Sequence, residues 1–353
     1  MPEVAPLPTG TATGVGSLPG NGREPLYGRS SHVVGQTTAV AEAVRTVFGE
    51  LPDFPHLPEL PGRGAGADMI GRSAALLVDL PVELYAGRWQ LTARPGRDFR
   101  LARDFLARDL DALDKEAGDH DGPVKIASAG PWTLSTALHR QLGGPMLRDP
   151  GAVRELAASL AEGLAAHVAE VCARLPRAAV TLQLDEPSLP AVLAGDIPTE
   201  SGFSRYRAVE EDTARQGLAS IVEAVDVPVI VHCCAPETPV STIRSTGASG
   251  ASLDLSLIDM DAAAGLDPLG EALDAGFVLM AGAVPATGDD DAAPSGREAA
   301  ELIDRLWSRL GLPAESRRDQ VIVSPACGLA GASPEYARAA MAACREAARR
   351  VSE

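Results

Sequence analysis

Eight short apolar runs, most of them ending in small, polar or thiol-bearing residues, are spread along this chain of 353 residues. They fall roughly at 11–18, 84–92, 124–130, 179–185, 227–233, 250–256, 277–283 and 321–326. Runs of that length read as buried strands, and the Ala/Leu/Glu/Arg-rich stretches between them carry helical spacing. Asp149-Pro150 supplies an N-cap and a first-turn proline for a helix over 150–174. Ser295-Gly296-Arg297-Glu298 forms a capping box for a helix through Leu310, with Gly311 as its stop. Alternating strands and helices imply a parallel sheet, either open and doubly wound or closed into a barrel.

The placement of the reactive residues separates the two. Gly16-Ser17, Gly130-Pro131, Asp185-Glu186, His232 with Cys234, Asp254 and Cys327 all sit at the C-terminal ends of expected strands. An open sheet gathers ligands at one switch point, whereas a barrel recruits them from many strand ends. The expectation is therefore a TIM (β/α)8 barrel spanning 1–353 as a single domain, with a long loop near 284–296.

Composition narrows the function classes. Thirty-one Lys+Arg stand against 48 Asp+Glu, a net charge of −17, and aromatic residues are 4% of the chain. Without a basic run or stacking platforms, nucleic acid is not the expected partner. Five cysteines, an odd number in a long chain, argue for reduced thiols rather than a disulfide framework. The start, Met1-Pro2-Glu3-Val4-Ala5-Pro6, has neither the basic nor the apolar region of a signal peptide. No uninterrupted apolar stretch approaches the ~18 residues that span a bilayer. A cytoplasmic protein without membrane partners is expected.

In a strand, residues two apart share a face, so His232 and Cys234 aim together while Cys233 points away. Cys327 ends a second run, Val321-Ile322-Val323. An imidazole with two thiolates is a soft set suited to zinc, and three protein ligands leave a position open for substrate. Cys172 and Cys344 lie on helical patterns and read as core residues, as does His167. Neither an H-x-E motif nor a C-x₂-C pair is present, which disfavours zinc-deaminase and zinc-finger wiring.

Leu184-Asp185-Glu186-Pro187 places two carboxylates at a strand end, of which Asp185, in phase with Gln183, faces the barrel mouth. Such a carboxylate can hold an ammonium group; the other reads as a turn cap. Thr13-Gly14-Val15-Gly16-Ser17-Leu18-Pro19-Gly20 lacks the third glycine of a dinucleotide loop in its proper place. It reads as a strand-end turn able to bind a small anion such as a carboxylate.

In order, Gly14-Val15-Gly16-Ser17, Gly130-Pro131-Trp132-Thr133, Gln183-Leu184-Asp185-Glu186-Pro187, His232-Cys233-Cys234 and Cys327-Gly328-Leu329 resemble the catalytic C-terminal barrel of cobalamin-independent methionine synthase. The wider superfamily includes uroporphyrinogen decarboxylase and the methylcobamide:thiol methyltransferases. The resemblance covers nearly the whole chain and implies a zinc-dependent methyltransferase that makes methionine from homocysteine. It implies zinc held by His232, Cys234 and Cys327, with Asp254 in place of the family's glutamate and Glu237 as second choice. It assigns Val15, Gly16 and Ser17 to the homocysteine carboxylate, Asp185 to its ammonium, and Glu59 and Asp68 to a further acidic contact.

Two departures stand out. The chain has no room for the family's N-terminal barrel, and Ala281–Thr287 lacks the family's histidine after the seventh strand. The methyl donor is then methyltetrahydrofolate or a methyl-corrinoid, the latter with a corrinoid protein as partner. Within the superfamily the alternatives are a methylcobamide:thiol methyltransferase and a metal-free uroporphyrinogen decarboxylase-like enzyme, the latter disfavoured by the lack of a basic cluster among the strand-end motifs. A non-catalytic zinc-binding or thiol-sensing protein is the rival outside it, and it would leave Asp185 and Ser17 without a ligand.

Overall fold

The computed structural model describes residues 4–20, 31–288 and 293–353. Six parallel strands form one curled sheet in sequential order: β3 (Pro123–Ala129), β4 (Ala179–Asp185), β5 (Val229–Cys233), β6 (Gly250–Asp254), β7 (Val278–Val284) and β8 (Val321–Pro325). β1 (Val82–Tyr85) and β2 (Arg88–Leu91) lie outside that sheet as an antiparallel hairpin.

Two extended segments close the ring between β8 and β3. Residues 10–13 run alongside β8, with Thr13 N donating to Val323 O at 2.9 Å and Val323 N to Thr11 O at 2.9 Å. Residues 55–57 run alongside β3, with Lys125 N donating to Pro55 O and Leu57 N to Lys125 O, each at 2.9 Å. The two segments pair with each other through Glu59 N to Gly16 O at 3.1 Å and Leu18 N to Glu59 O at 2.9 Å. The result is a TIM barrel with eight staves, two of them irregular. Pro55 and Pro58 have no N–H to donate, which keeps the second stave from becoming a regular strand.

The expectation of a barrel strand at 84–92 is thereby corrected: that run is the hairpin. Its turn is Ala86-Gly87, with φ of +48° and +78°, the left-handed pair that a two-residue hairpin demands. The stave that replaces it, around 55–60, carries three prolines in Leu57-Pro58-Glu59-Leu60-Pro61 and just before it, and so hides its strand character.

Helices wrap the ring. α1 (Ser31–Glu50), α2 (Met69–Ala74) and α3 (Arg97–Ala117) precede β3, and α1 packs on α3. α4 (Pro131–Ala137) and α5 (Pro150–Arg174) follow β3; α6 (Leu189–Ala194) and α7 (Glu211–Val222) follow β4. α8 (Val240–Arg244), α9 (Ala263–Asp274), α10 (Gly296–Leu310), α11 (Arg317–Gln320) and α12 (Pro334–Ser352) complete the outer layer.

The expected caps are present. Asp149 accepts from Gly151 N and Ala152 N at the start of α5, Ser295 from Glu298 N at α10, and Gly311 ends α10 with φ +68°. The connection expected near 284–296 joins β7 to α10, and its residues 289–292 lie outside the described ones. α5 is long and apolar enough to cross a membrane by length and composition, with an 18-residue window of mean hydropathy 1.3. Charged residues interrupt it, so the sequence shows no continuous apolar stretch, and 56% of the window is buried.

Inside the ring, Leu7, Val15, Phe54, Ile230, Met280 and Ile322 pack as an apolar plug. One step toward the strands' C-terminal ends the inward positions turn polar: Gln183, His232, Ser252 and Ser324 are all buried. The apolar floor and polar storey above it set where chemistry can occur.

Candidate metal and substrate site

β5 delivers His232 to the interior, 2% exposed, in register with Asp185 on β4 and Ser252 on β6. Ser252 Oγ lies 2.9 Å from His232 Nδ1, which fixes the ring. The opposite nitrogen, Nε2, is buried without a hydrogen-bond partner. Cys234, just past β5, brings its Sγ to 3.2 Å from that of Cys327, and all three ligand atoms lie within 4.8 Å of one another. The sulfurs are well beyond the ~2.05 Å of a disulfide bond, and both thiols are free.

Cys327 lies two residues past the end of β8, next to an irregularity in the sheet. The β7–β8 register shifts between Gly282 and Val284, and such irregularities re-aim side chains at barrel rims. Gly282 permits it: a Cβ there would meet Leu253 O at 2.6 Å and Ala326 Cα at 2.8 Å.

An orphaned imidazole nitrogen facing two thiols, its ring steadied from behind by a hydroxyl, is the donor set of a soft metal ion. The electrostatics agree. The hydrogen bond from Cys234 and the His232 ring hold the Cys327 thiol down to about 4, and the same pairing pushes the Cys234 thiol up. Thiol ligands bind a cation as thiolates, so a thiol held down in this way suits a metal ligand.

Asp254 does not join them. Its Oδ1 accepts from Ser256 N at 2.9 Å and Ser256 Oγ at 2.6 Å, capping the 3₁₀ turn Leu255–Leu257. An aspartate at a strand end finds such a local turn within reach, which draws it away from the His232–Cys234–Cys327 group. Glu237, exposed and at φ +56°, also stands outside the group.

The other expected residues occupy neighbouring staves. Ser17 and Glu59 are bridge partners on the two irregular staves, and Leu329 N donates to Ser17 O at 2.8 Å, which joins this edge to the Cys327 segment. Asp185 is 6% exposed and accepts from Gln183 Nε2 at 2.7 Å. Burial raises its carboxyl, and the His232 ring opposes that rise.

Glu59 is 5% exposed; burial lifts it to about 7 against the pull of Arg72, whose Nε lies 3.5 Å from Glu59 Oε1. Asp185, Asp109 and Asp68 add to the rise. Asp68 serves as N-cap of α2, accepting from Gly71 N at 2.7 Å, and burial raises its carboxyl as well. Val15 contributes its side chain to the apolar plug and its carbonyl to Lys125 and Gln183, while the Gly16 carbonyl accepts from Glu59 N at 3.1 Å.

Glu186 turns away from the mouth, as strand alternation requires. It accepts from Trp132 N, Thr133 N and Thr133 Oγ1 at 2.7–2.9 Å, so it caps the neighbouring helix α4 rather than its own turn. Cys233 and Cys344 are buried in the core, as expected, and Cys172 is half-buried against it.

Sequence reasoning missed Ser252, Lys125, Arg72 and Asp109. Ser252 was findable from its phase with Asp254. Arg72 and Asp109 were not, because they meet only through the packing of α2 on α3.

A (β/α)8 barrel with a soft ligand set and buried acids at its C-terminal mouth defines an enzyme-type centre. The family described as "Cobalamin-independent synthase, Catalytic domain" matches residues 119–350, and the chain belongs to it. Among solved structures, a B12-independent methionine synthase from Shewanella sp. W3-18-1, in complex with selenomethionine, is similar. It shares 14% identity over 97% of this chain and 98% of its own, with a TM-score of 0.66, and so has the same fold. A family 1 β-glucosidase from Thermotoga maritima, 10% identical over 92% of each chain, has a TM-score of only 0.36. No curated protein matches the chain.

Proposed function

We propose that this chain, acting as one catalytic unit over 1–353, is a zinc-dependent methyltransferase that converts homocysteine to methionine. The observation that carries the reading is the convergence of the partnerless His232 Nε2 with the Cys234 and Cys327 thiols beside the buried Asp185. These three residues would hold zinc, which would supply the Lewis acidity that favours the thiolate of a thiol whose ordinary pKa is ~8.5.

The chain's own groups do the rest. Asp185 and Glu59 receive the substrate's ammonium, whose charge offsets the burial that otherwise disfavours both carboxylates. The Val15-Gly16-Ser17 turn receives the carboxylate, with the Ser17 hydroxyl as donor. Asp68 acts at longer range, adding negative potential to the Glu59 side of the pocket. With both charged ends fixed, the substrate sulfur is oriented toward the methyl group it attacks. Free thiols at Cys234 and Cys327 suit the reducing cytoplasm. The methyl donor is methyltetrahydrofolate or a methyl-corrinoid, in the second case presented by a corrinoid protein.

The test combines metal analysis of the purified protein with methionine formation assayed from methyltetrahydrofolate and methylcobalamin in parallel. We expect stoichiometric zinc and activity with one donor; Cys327→Ser should lose both the metal and more than ~100-fold in rate. A zinc-free active protein, or unimpaired Cys327→Ser, would refute the assignment.

A further inference from the structure

Directly beneath the site lies a buried polar unit that the proposed chemistry does not use. Lys125, fully buried on β3, donates from Nζ to Gln183 Oε1 at 2.6 Å and to Val15 O at 3.0 Å. Gln183, also fully buried, donates from Nε2 to the same Val15 O at 2.8 Å and to Asp185 Oδ1 at 2.7 Å. The amide can point only one way: its oxygen faces the ammonium, its nitrogen the carboxylate. The β3–β4 register pairs Ala127 with Gln183, so Lys125 starts one inward step lower and reaches up along the barrel axis.

These four contacts join two separate staves. Val15 O belongs to the irregular stave that leads into Ser17, and Asp185 ends β4. Between them around the ring stand the 55–60 stave and β3, so no backbone ladder ties one to the other. The Lys125–Gln183 pair is the link that does so.

We propose that Lys125 and Gln183 are positioning residues that set the separation between the carboxylate-binding turn at Val15–Ser17 and the ammonium-binding Asp185, and so select a thiol carrying an α-amino acid end. This rests on the amino-acid clamp read above. An interior lysine is costly where Ile230, Met280 and Ile322 show that apolar packing suits the same barrel. Burial brings Lys125 down to about 7, opposed by the charges of Asp185 and Glu59, so its ammonium is sustained by the acids of the clamp.

The test measures binding of L-homocysteine and of propane-1-thiol, which lacks both charged ends, to the zinc-loaded protein by calorimetry. Gln183→Glu keeps the size and the acceptor for Lys125 but loses both donated bonds; Lys125→Met removes the cation. We expect each to weaken homocysteine at least tenfold while propane-1-thiol affinity, zinc content and melting temperature of Gln183→Glu stay near wild type. The double variant should lose no more than the worse single, since the pair acts as a unit. Wild-type preference for homocysteine that survives both substitutions overturns the positioning role alone. Equal losses for both thiols also overturn it. A wild-type protein with no preference for homocysteine would remove the clamp itself, and this proposal with it.

Discussion

At the residue scale, His232 is arranged as the proposed metal ligand would need to be. The Ser252 hydroxyl engages Nδ1 and leaves Nε2 without a partner, a cost in a buried site that only an acceptor of its lone pair offsets. Removing such an outer partner ordinarily weakens metal binding ten- to a hundredfold. Ser252→Ala should therefore lower zinc affinity by about that factor in a chelator competition, with melting temperature of the metal-free protein little changed. Asp254, which shares the inward phase of Ser252, is expected to be dispensable in the same assay. Asp254→Asn can still accept from Ser256, so zinc content should stay near wild type; its loss would restore Asp254 as a ligand.

At the element scale, helix α4 is anchored from the next strand. The Glu186 carboxylate sits against the helix's first backbone N–H groups, and a Cβ at Gly130 would come within 2.3 Å of Glu186 Oε1. Gly130→Ala should destabilise the fold by about 1–3 kcal/mol in urea unfolding, the usual cost of overpacking a tight site. Seven of the eight strand-like runs, counting 11–18 as the first irregular stave, and the caps of α5 and α10 were legible, because apolar periodicity and capping chemistry are local. The run at 84–92 misled because a hairpin and a barrel strand share the same residue types, and only the Ala86-Gly87 turn tells them apart. The stave at 55–60 was illegible because its prolines remove the signal while the ring around it imposes the shape. Within the site, phase along β4 and β5 placed Asp185, His232 and Cys234. Cys327 stands beside the β7–β8 irregularity at Gly282, which no window of sequence displays.

At the scale of the whole molecule, acid stability is expected to draw on a buried histidine outside the set of site residues. His167 on α5 is buried, which with the nearby Arg72 holds it down to about 4. Above pH ~6.5 folded and unfolded chains are both neutral there, and the folded state carries no penalty. Between ~6.5 and about 4 only the unfolded chain gains the proton, so stability falls with pH by roughly 3 kcal/mol from this group. His167→Gln should flatten that part of the urea-unfolding profile relative to wild type; an unchanged slope would show that His167 is not its source. The barrel as a whole is a ring with a weak sector. Between β8 and β3 it is completed by two proline- and glycine-broken segments with few ladder bonds, and those segments carry Ser17 and Glu59. Amides there should exchange with solvent faster than those of β5 and β6. Added homocysteine should slow Ser17 and Glu59 exchange and leave β5 and β6 unchanged. The substrate would then be the fastening of the enzyme that uses it, with the ring drawn fully shut only while it is occupied.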